Sequence, residues 1–249
     1  MKEKVLLGMS GGVDSSVAAI LLKKQGYEVI GATMKLWEKE NNIQDEAKNI
    51  CDILKIPHHV FDFTIEFKEK VIEDFAENYK NGRTPNPCIQ CNKYFKFDLF
   101  YKKACELGCE YIATGHYAKT EYEEKYKSIV LKKSNSERKD QSYVLYGIKK
   151  EILPKIIFPL SNFKNKEEIR QIMKEYENRN NVKLEIYKKS ESQDICFIPN
   201  GNYKEFLINN GNIKMNEGNI IKSDGEVIGK HNGLINYTIG QRKGIRYYL

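Results

Sequence analysis

The chain has 249 residues, 41% of them hydrophobic, which is enough for one large domain or for one domain and a smaller one. No apolar run is long enough to cross a bilayer, and the N-terminus passes straight into a predicted strand, so we expect a cytoplasmic protein without a signal peptide. The net charge of +7 permits binding to a polyanion, and the six cysteines favour thiol or metal chemistry over a disulfide framework.

The first half of the chain alternates strand and helix patterns. The predicted strands are 4–9, 28–33, 58–63 and 111–114, and the predicted helices are 15–25, 45–54, 64–79 and 97–107. This alternation predicts an α/β fold, an open parallel sheet with helices on both faces. Ligands of such sheets lie outside the carboxyl ends of the strands, where segment 10–14, Met34 and the pair Gly115-His116 are all expected.

The segment Ser10-Gly11-Gly12-Val13-Asp14-Ser15 joins the first predicted strand to the first predicted helix. A glycine turn that opens into a helix directs backbone N–H groups and the positive end of the helix dipole at one point, which suits a phosphate. The segment lacks the lysine of a Walker loop and the pattern of a dinucleotide fingerprint. It resembles the PP-loop of ATP pyrophosphatases, and an ordinary glycine turn is the alternative.

Two cysteines lie in segment 82–93, which a glycine and two prolines predict to be an exposed loop. Cys88 and Cys91 form a C-x-x-C that could bind metal with other ligands, act as a dithiol or contain one nucleophile. Cys196 is either a third reactive thiol or a small buried side chain beside Ile195 and Phe197. The remaining cysteines and a histidine pair are predicted to be structural: Cys51, Cys105, Cys109, His58 and His59.

Beyond about residue 150 the regular alternation ends. A helix is predicted over 166–176, with Ser161 or Asn165 as its cap, and a short helix over 203–209. Short β segments are then predicted at 218–221, 225–229 and 234–237, with a hairpin turn at Asp224-Gly225. The fold class is therefore completed by a helical segment and the start of a small β domain.

Six motifs occur in order between residue 8 and about residue 244. They are Ser-Gly-Gly-Val-Asp-Ser-Ser (10–16), Thr-Pro-Asn-Pro leading to Cys-Asn-Lys (84–93), Ala-Thr-Gly-His-Tyr-Ala (113–118), Lys-Asp-Gln-Ser-Tyr (139–143), Asp-Ile-Cys-Phe-Ile (194–198) and Tyr-Thr-Ile-Gly-Gln-Arg-Lys-Gly (237–244). Together they resemble the tRNA-specific 2-thiouridylases of the MnmA type, within the PP-loop ATP pyrophosphatase superfamily. The resemblance implies a fold like that of the adenine nucleotide hydrolases.

The resemblance also implies an ATP-dependent tRNA-uridine 2-sulfurtransferase. ATP would adenylate the C2 oxygen of the wobble uridine, and sulfur would replace that oxygen, giving 2-thiouridine, AMP and pyrophosphate. The implied ATP-binding residues are Gly8, Met9, Ser10, Gly11, Gly12, Val13, Asp14, Ser15, Met34 and Gly115. Asp14 and Ser15 would orient the phosphates and a Mg²⁺ that offsets the charge in a loop without lysine.

The implied tRNA-binding residues are Asn86, Pro87, Cys88, His116, Lys139, Asp140 and Gln141. Without the resemblance, a solvated charged turn would be the preferred interpretation of 139–141.

By the same resemblance, Cys196 carries a persulfide received from a sulfur donor protein, which is a persulfide relay protein or a cysteine desulfurase. Cys91 is the implied nucleophile, and a Cys91–Cys196 disulfide can form as the sulfur is released. Both thiols should lie in electropositive and partly exposed surroundings. Many relatives have an acidic residue where this chain has Cys88, so Cys88, Cys91 and Cys196 could instead hold a 4Fe–4S cluster whose remaining iron binds sulfide.

The resemblance divides the chain into a PP-loop ATP-binding domain (1–155), a helical tRNA-binding segment with Cys196 (156–212) and a small β-rich domain (213–249). The C-terminal barrel of relatives is expected to be absent, so we expect either a naturally short protein or a fragment, and a monomer. Two other functions stay open. An amine-type PP-loop ligase would need no cysteine pair, and a truncated remnant would bind tRNA or carry a cluster without catalysis.

Overall fold

The structure of the protein, a computed structural model, describes residues 2–37, 43–189, 195–198, 201–211 and 213–243. Asp194 and Gly244, which belong to the sequence motifs, lie outside these ranges. The described residues form two compact units, one within 1–64 and 88–191 and the other within 65–87 and 192–249. The domain limits expected at 155 and 212 stay predictions.

The first unit is built on a parallel sheet. Its strands are β1 (Lys4–Gly8), β2 (Glu28–Lys35), β3 (His58–Asp62), β4 (Tyr111–Ala113) and β7 (Ile156–Ile157), in the order β3-β2-β1-β4-β7. All neighbouring strands are parallel, which confirms the predicted open sheet. The chain moves outward from β1 through β2 to β3 and then returns to the other side of β1 with β4. The loops that follow β1 and β4 therefore leave the sheet side by side, where ligands of such folds bind.

Helices cover both faces of this sheet, as predicted. Those that pack on the sheet include α1 (Val13–Lys24), α2 (Ile43–Leu54), α6 (Phe100–Glu106) and α7 (Lys166–Asn180). Successive residues of a strand point to opposite faces. Val5 and Leu7 of β1 belong to a core cluster that includes residues of α1, α2 and α7, and Leu6 belongs to a second cluster that includes residues of α6.

Two long helical runs each contain a π-helical segment. The first consists of α3 (Thr64–Phe67), the π segment Lys68–Ile72 and α4 (Glu73–Lys80); the second of α5 (Pro87–Cys91), the π segment Asn92–Leu99 and α6. The exposed loop predicted over 82–93 is therefore wrong from Pro87 onward. A proline at the first helical position loses no hydrogen bond, because that N–H has no intrahelical acceptor, so Pro87 begins the helix instead of preventing it.

One hairpin of the first unit was not predicted. Strands β5 (Lys119–Glu123) and β6 (Ser128–Lys132) pair antiparallel. The strand sequences, Lys-Thr-Glu-Tyr-Glu and Ser-Ile-Val-Leu-Lys, lack the strict alternation of apolar and polar residues by which a strand is predicted.

The second unit combines α4 and α8 (Tyr203–Asn210) with an antiparallel hairpin of β8 (Gly218–Ile221) and β9 (Val227–His231). Gly225 has a φ of +92°, which confirms the predicted turn. The β segment predicted over 234–237 is wrong, because Leu234–Asn236 forms a 3₁₀ turn. The Asn236 side chain closes this turn by donating to the Asn232 carbonyl at 3.2 Å. Among the described residues of both units, no helix is long and apolar enough to cross a membrane.

Candidate functional site

The loop between β1 and α1 is held by its own serines. Ser15 Oγ donates to the Gly12 carbonyl at 3.1 Å and accepts from the Ser10 N–H at 3.3 Å. Ser16 Oγ donates to the same carbonyl at 2.8 Å. Gly11 has a φ of +71°, a conformation that glycine adopts without steric cost. Gly12 caps α1 without a side-chain hydrogen bond, which is the arrangement of a helix N-terminus that binds an anion.

Residues from the ends of three neighbouring strands lie at this loop. A β-carbon at Gly115 would lie 3.1 Å from both the Asp14 β-carbon and the Ser15 nitrogen. A β-carbon at Gly8 would lie 3.9 Å from the Met34 methyl group. The structure therefore brings together four of the predicted ATP-binding positions from different parts of the chain, those of Gly8, Asp14, Met34 and Gly115.

Asp14 lies in the first turn of α1, and both of its carboxylate oxygens have protein partners. The Tyr117 hydroxyl donates to Oδ1 at 3.0 Å, and the Lys166 ammonium donates to Oδ2. Lys166 is only 9% exposed, although it comes from the start of α7, 152 residues away in sequence. Sequence reasoning missed Tyr117 and Lys166 as site residues. The available signal for Lys166 was a cation at a helix N-terminus, where the dipole favours anions.

A second polar contact supports the turn after β1. Thr33 Oγ1 donates to the Met9 carbonyl at 3.0 Å and lies 2.9 Å from His58 Nε2. Burial lowers the pKa of His58 below its ordinary value. The neutral ring therefore acts in a structural contact that joins β2 and β3, in agreement with the structural role predicted for it.

The predicted tRNA-binding turn at 139–141 is anchored beside this site. Gln141 pairs with Tyr117 twice, since its N–H donates to the Tyr117 carbonyl at 2.8 Å and its Oε1 accepts from the Tyr117 N–H at 3.0 Å. The Asp140 carboxylate accepts from the Ser134 N–H at 2.8 Å and from the Ser142 hydroxyl at 2.6 Å. The segment is an ordered turn instead of a solvated charged one, and its contact with tRNA stays a prediction.

His116 is buried, with 9% of its surface exposed. Its ring lies between Phe97 and Phe158, at centroid distances of 5.8 and 6.5 Å, and its Nδ1 lies 2.8 Å from the Thr114 hydroxyl. Burial holds the pKa of His116 well below its ordinary value, so the ring is neutral at pH 7. The predicted contact between His116 and tRNA stays a prediction.

Cys88 and Cys91 are three residues apart on a helix and so lie on the same side of it. Cys88 is exposed, but Cys91 is only 7% exposed. The expectation that both reactive thiols are partly exposed is therefore wrong for Cys91. The reason is local, because Cys91 lies one helical turn before the fully buried Phe95. Asn86 is exposed before this helix, and Pro87 is buried as its first residue.

Cys196 belongs to the second unit and is exposed, so its alternative interpretation as a buried side chain is wrong. The neighbouring Phe197 is the buried residue, and its ring packs on Phe67, Phe75 and Phe206 at centroid distances of 5.7, 5.6 and 5.1 Å. This packing fixes the short turn that carries Cys196.

The other cysteines divide in the same way. Cys51 and Cys109 are buried as predicted, whereas Cys105 is exposed and the prediction that it is a core residue is wrong. Cys105 lies in the last turn of α6, where the helix side that it occupies faces solvent.

Within the part of the chain that the structure describes, no three or more His, Cys, Asp or Glu side chains are grouped so that they could hold a metal ion. The ligand set of Cys88, Cys91 and Cys196 therefore stays a prediction.

Two family models match the chain. They are described as the tRNA methyl transferase HUP domain, matched over residues 3–200, and the tRNA methyl transferase PRC-barrel domain, matched over residues 204–248. Among solved structures, the NH3-dependent NAD synthetase from Campylobacter jejuni in complex with the nitrate ion aligns with a TM-score of 0.44 and 17% identity over 85% of this chain and 76% of that chain. This likeness is too weak to bear on fold or function.

Curated relatives match almost the whole chain. The tRNA-specific 2-thiouridylase MnmA of Clostridioides difficile (strain 630) is 44% identical over 98% of this chain and 69% of its own length. The tRNA-specific 2-thiouridylase MnmA 1 of Clostridium tetani is 47% identical over 98% of this chain and 68% of its own length. These matches agree with the six ordered motifs and with the parallel sheet that carries the loop at 10–15. The chain therefore belongs to the family of tRNA-specific 2-thiouridylases of the MnmA type.

Proposed function

We propose that this chain is an ATP-dependent tRNA 2-thiouridylase. The observation that carries the proposal is the phosphate loop, with Asp14 in the first turn of α1 and Gly115 packed against it at the carboxyl ends of β1 and β4. This arrangement suits a nucleotide whose phosphates lie at the helix N-terminus. The names of the relatives supply the substrate class, tRNA, and the product, 2-thiouridine.

The first step is adenylation of the substrate. The C2 oxygen of the uracil attacks the α-phosphorus of ATP, and the new O–P bond forms as the bond to the bridging oxygen breaks. Pyrophosphate leaves with that electron pair, and the N3 proton passes to solvent. The uracil oxygen is a poor leaving group until it becomes part of an adenylate, so this step prepares C2 for the sulfur.

The second step replaces the oxygen. The terminal sulfur of a persulfide on Cys196 attacks C2, and AMP leaves with the former C2 oxygen. The Cys91 thiolate then attacks the Cys196 sulfur, which frees the sulfur on C2 and leaves a Cys91–Cys196 disulfide. An external thiol must reduce this disulfide before the next cycle, and a sulfur donor protein must restore the persulfide.

Mg²⁺ is usually bound by one or two carboxylates together with substrate phosphates, and Asp14 offers such a carboxylate at the loop. The Ser15 hydroxyl is buried and hydrogen-bonded to the Gly12 carbonyl and the Ser10 N–H, so it orients the loop. When bound, Mg²⁺ would neutralise charge on the phosphates. In the described structure the Asp14 carboxylate contacts Lys166 and Tyr117, so metal binding at Asp14 requires that one of these contacts changes.

We assign the PP-loop ATP-binding domain to residues 1–155, the helical tRNA-binding segment with Cys196 to residues 156–212 and the small β-rich domain to residues 213–249. The described residues place no group of three metal ligands together, so no step is assigned to a 4Fe–4S cluster. The family models are named for methyl transfer, but the loop at 10–15 favours ATP chemistry.

The test uses the chain purified without oxygen, unmodified tRNA, Mg²⁺, ATP and a protein persulfide donor. We expect 2-thiouridine and pyrophosphate in equal amounts, with pyrophosphate release that depends on tRNA and is lost in Asp14→Ala. Unchanged pyrophosphate release in that variant would contradict the assignment of the loop. Iron is counted in the same preparation, and about four irons per chain with activity that follows them would replace the persulfide route by the cluster route.

A further inference from the structure

Lys166 is a buried cation at the N-terminus of a helix, a position that is unfavourable both for hydration of the ammonium and for the helix dipole. It is the first residue of α7 and follows the cap residue Asn165, which accepts a hydrogen bond from the Glu168 N–H at 3.0 Å. A cation at this end of a helix opposes the helix dipole. A lysine that is nine-tenths buried also loses hydration, and lysine is rarely buried unless it is paired.

The partner of Lys166 connects it to the phosphate loop. Its ammonium donates to Asp14, which lies two residues after the glycine cap of α1. Ile169 and Met173 of α7 belong to the same core cluster as Val17 of α1, and all three are fully buried. The packing of α7 on α1 therefore holds the Lys166 ammonium beside the start of α1.

The charges at the loop explain why such a group is useful. Segment 8–15 contains no lysine or arginine, yet ATP brings several negative charges to it. In the described structure the ammonium and the Asp14 carboxylate neutralise each other. If the carboxylate binds Mg²⁺ instead, the ammonium becomes available to a phosphate oxygen within the same site.

We propose that Lys166 binds the phosphates of ATP during adenylation, and that Asp14 holds the Lys166 side chain in place when the nucleotide is absent. This inference rests on the proposed function. The ammonium contacts the β- and γ-phosphates and stabilises the electron pair that the bridging oxygen receives when its bond to the α-phosphorus breaks. In this role Lys166 acts by charge and hydrogen bonding and transfers no proton.

The experiment compares wild type, Lys166→Gln and Lys166→Arg. Isothermal titration measures the affinity for ATP with Mg²⁺, for AMP and for pyrophosphate, and a coupled assay measures tRNA-dependent pyrophosphate release. Lys164→Gln is the matched control, because it removes an exposed lysine from the same segment.

We expect Lys166→Gln to bind ATP and pyrophosphate about 10- to 100-fold more weakly and to release pyrophosphate about 100-fold more slowly, with AMP affinity unchanged. Lys166→Arg should recover part of the ATP affinity, since it keeps the charge. A merely structural lysine would reduce ATP and AMP affinity by the same factor, and that result would overturn the inference. Wild-type ATP affinity and rate in Lys166→Gln would overturn it too.

Removal of Lys166 leaves Asp14 without its cation, which can unfold the variant. The double variant Asp14→Asn/Lys166→Gln removes both charges and is compared with Asp14→Asn alone. A further loss of ATP affinity in the double variant supports the inference, and equal affinity overturns it. If the wild-type chain binds no ATP, the proposed function fails as well; if it binds ATP and Lys166→Gln is normal, only the inference fails.

Discussion

The phosphate loop and the cysteines differ in how much of the predicted chemistry is assembled in one place. At the loop, Asp14, Tyr117 and Lys166 come from distant parts of the chain and are in direct contact within one unit. The two cysteines that we propose for sulfur transfer differ in exposure and in unit, since Cys91 is buried in the first unit and Cys196 is exposed in the second. We therefore expect adenylation to depend on the geometry of a preassembled site. We expect sulfur transfer to depend on two individual sulfur atoms, one buried and one exposed.

The largest expected effect separates the two regions completely. Cys196→Ser should lower thiolation by at least about 10³-fold, because a hydroxyl group cannot carry a persulfide. ATP affinity and tRNA-dependent pyrophosphate release should be unchanged, because in the proposed mechanism adenylation precedes the attack of the Cys196 persulfide on C2. Thiouridine formation and pyrophosphate release are measured on the same samples.

Cys105→Ser is the control for Cys196→Ser, since it removes another exposed cysteine. Wild-type thiolation in Cys196→Ser would rule out the carrier role. Loss of pyrophosphate release in the same variant would show that the two regions are coupled more closely than we propose.

A smaller effect is expected when the geometry of the loop is disturbed without any change of charge. In Gly115→Ala the new methyl group would lie 3.1 Å from the Asp14 β-carbon and the Ser15 nitrogen, so the start of α1 must shift by a few tenths of an ångström. We expect ATP affinity, measured by titration, to fall about 10- to 100-fold, since sites of this kind tolerate little displacement.

Gly26→Ala is the matched control for Gly115→Ala. Its φ of +96° makes alanine unfavourable there, but nothing lies within 4 Å of the added methyl group. It should lower the free energy of unfolding by about 1–2 kcal/mol and leave ATP affinity unchanged. Equal ATP affinity in Gly115→Ala and in wild type would mean that the close packing at Gly115 does not shape the nucleotide site.

The sequence was sufficient to predict the fold of the loop at 10–15 because all of its determinants are contiguous. The strand, the glycine turn and the helix start lie within residues 4–24, and the alternation of elements predicts the parallel sheet that presents them. Lys166 could not be placed in this way, because its contact with Asp14 spans 152 residues and depends on how α7 packs against α1.

The cysteine segment shows a different limit of sequence reasoning. Prolines and a glycine predict a loop over 82–93, yet Pro87 begins a helix that continues to Glu106. The same residue type interrupts a helix in its interior and favours its first position, so composition alone could not decide between a loop and a helix start. The burial of Cys91 follows from the helix and was missed with it.

The smallest expected effect compares the thiols themselves by alkylation of the folded protein with iodoacetamide. Peptide mapping by mass spectrometry should show that the exposed Cys196, Cys88 and Cys105 are modified about tenfold faster than the buried Cys91, since the reagent reaches Cys91 only through local opening. Burial raises the pKa of Cys51 to about 12, so its thiol stays protonated and its rate stays low as the pH rises from 7 to 9. Modification of Cys91 as fast as Cys196 would contradict this prediction and would mean that α5 opens readily. The difference in exposure between the two thiols would then not limit their reaction rates.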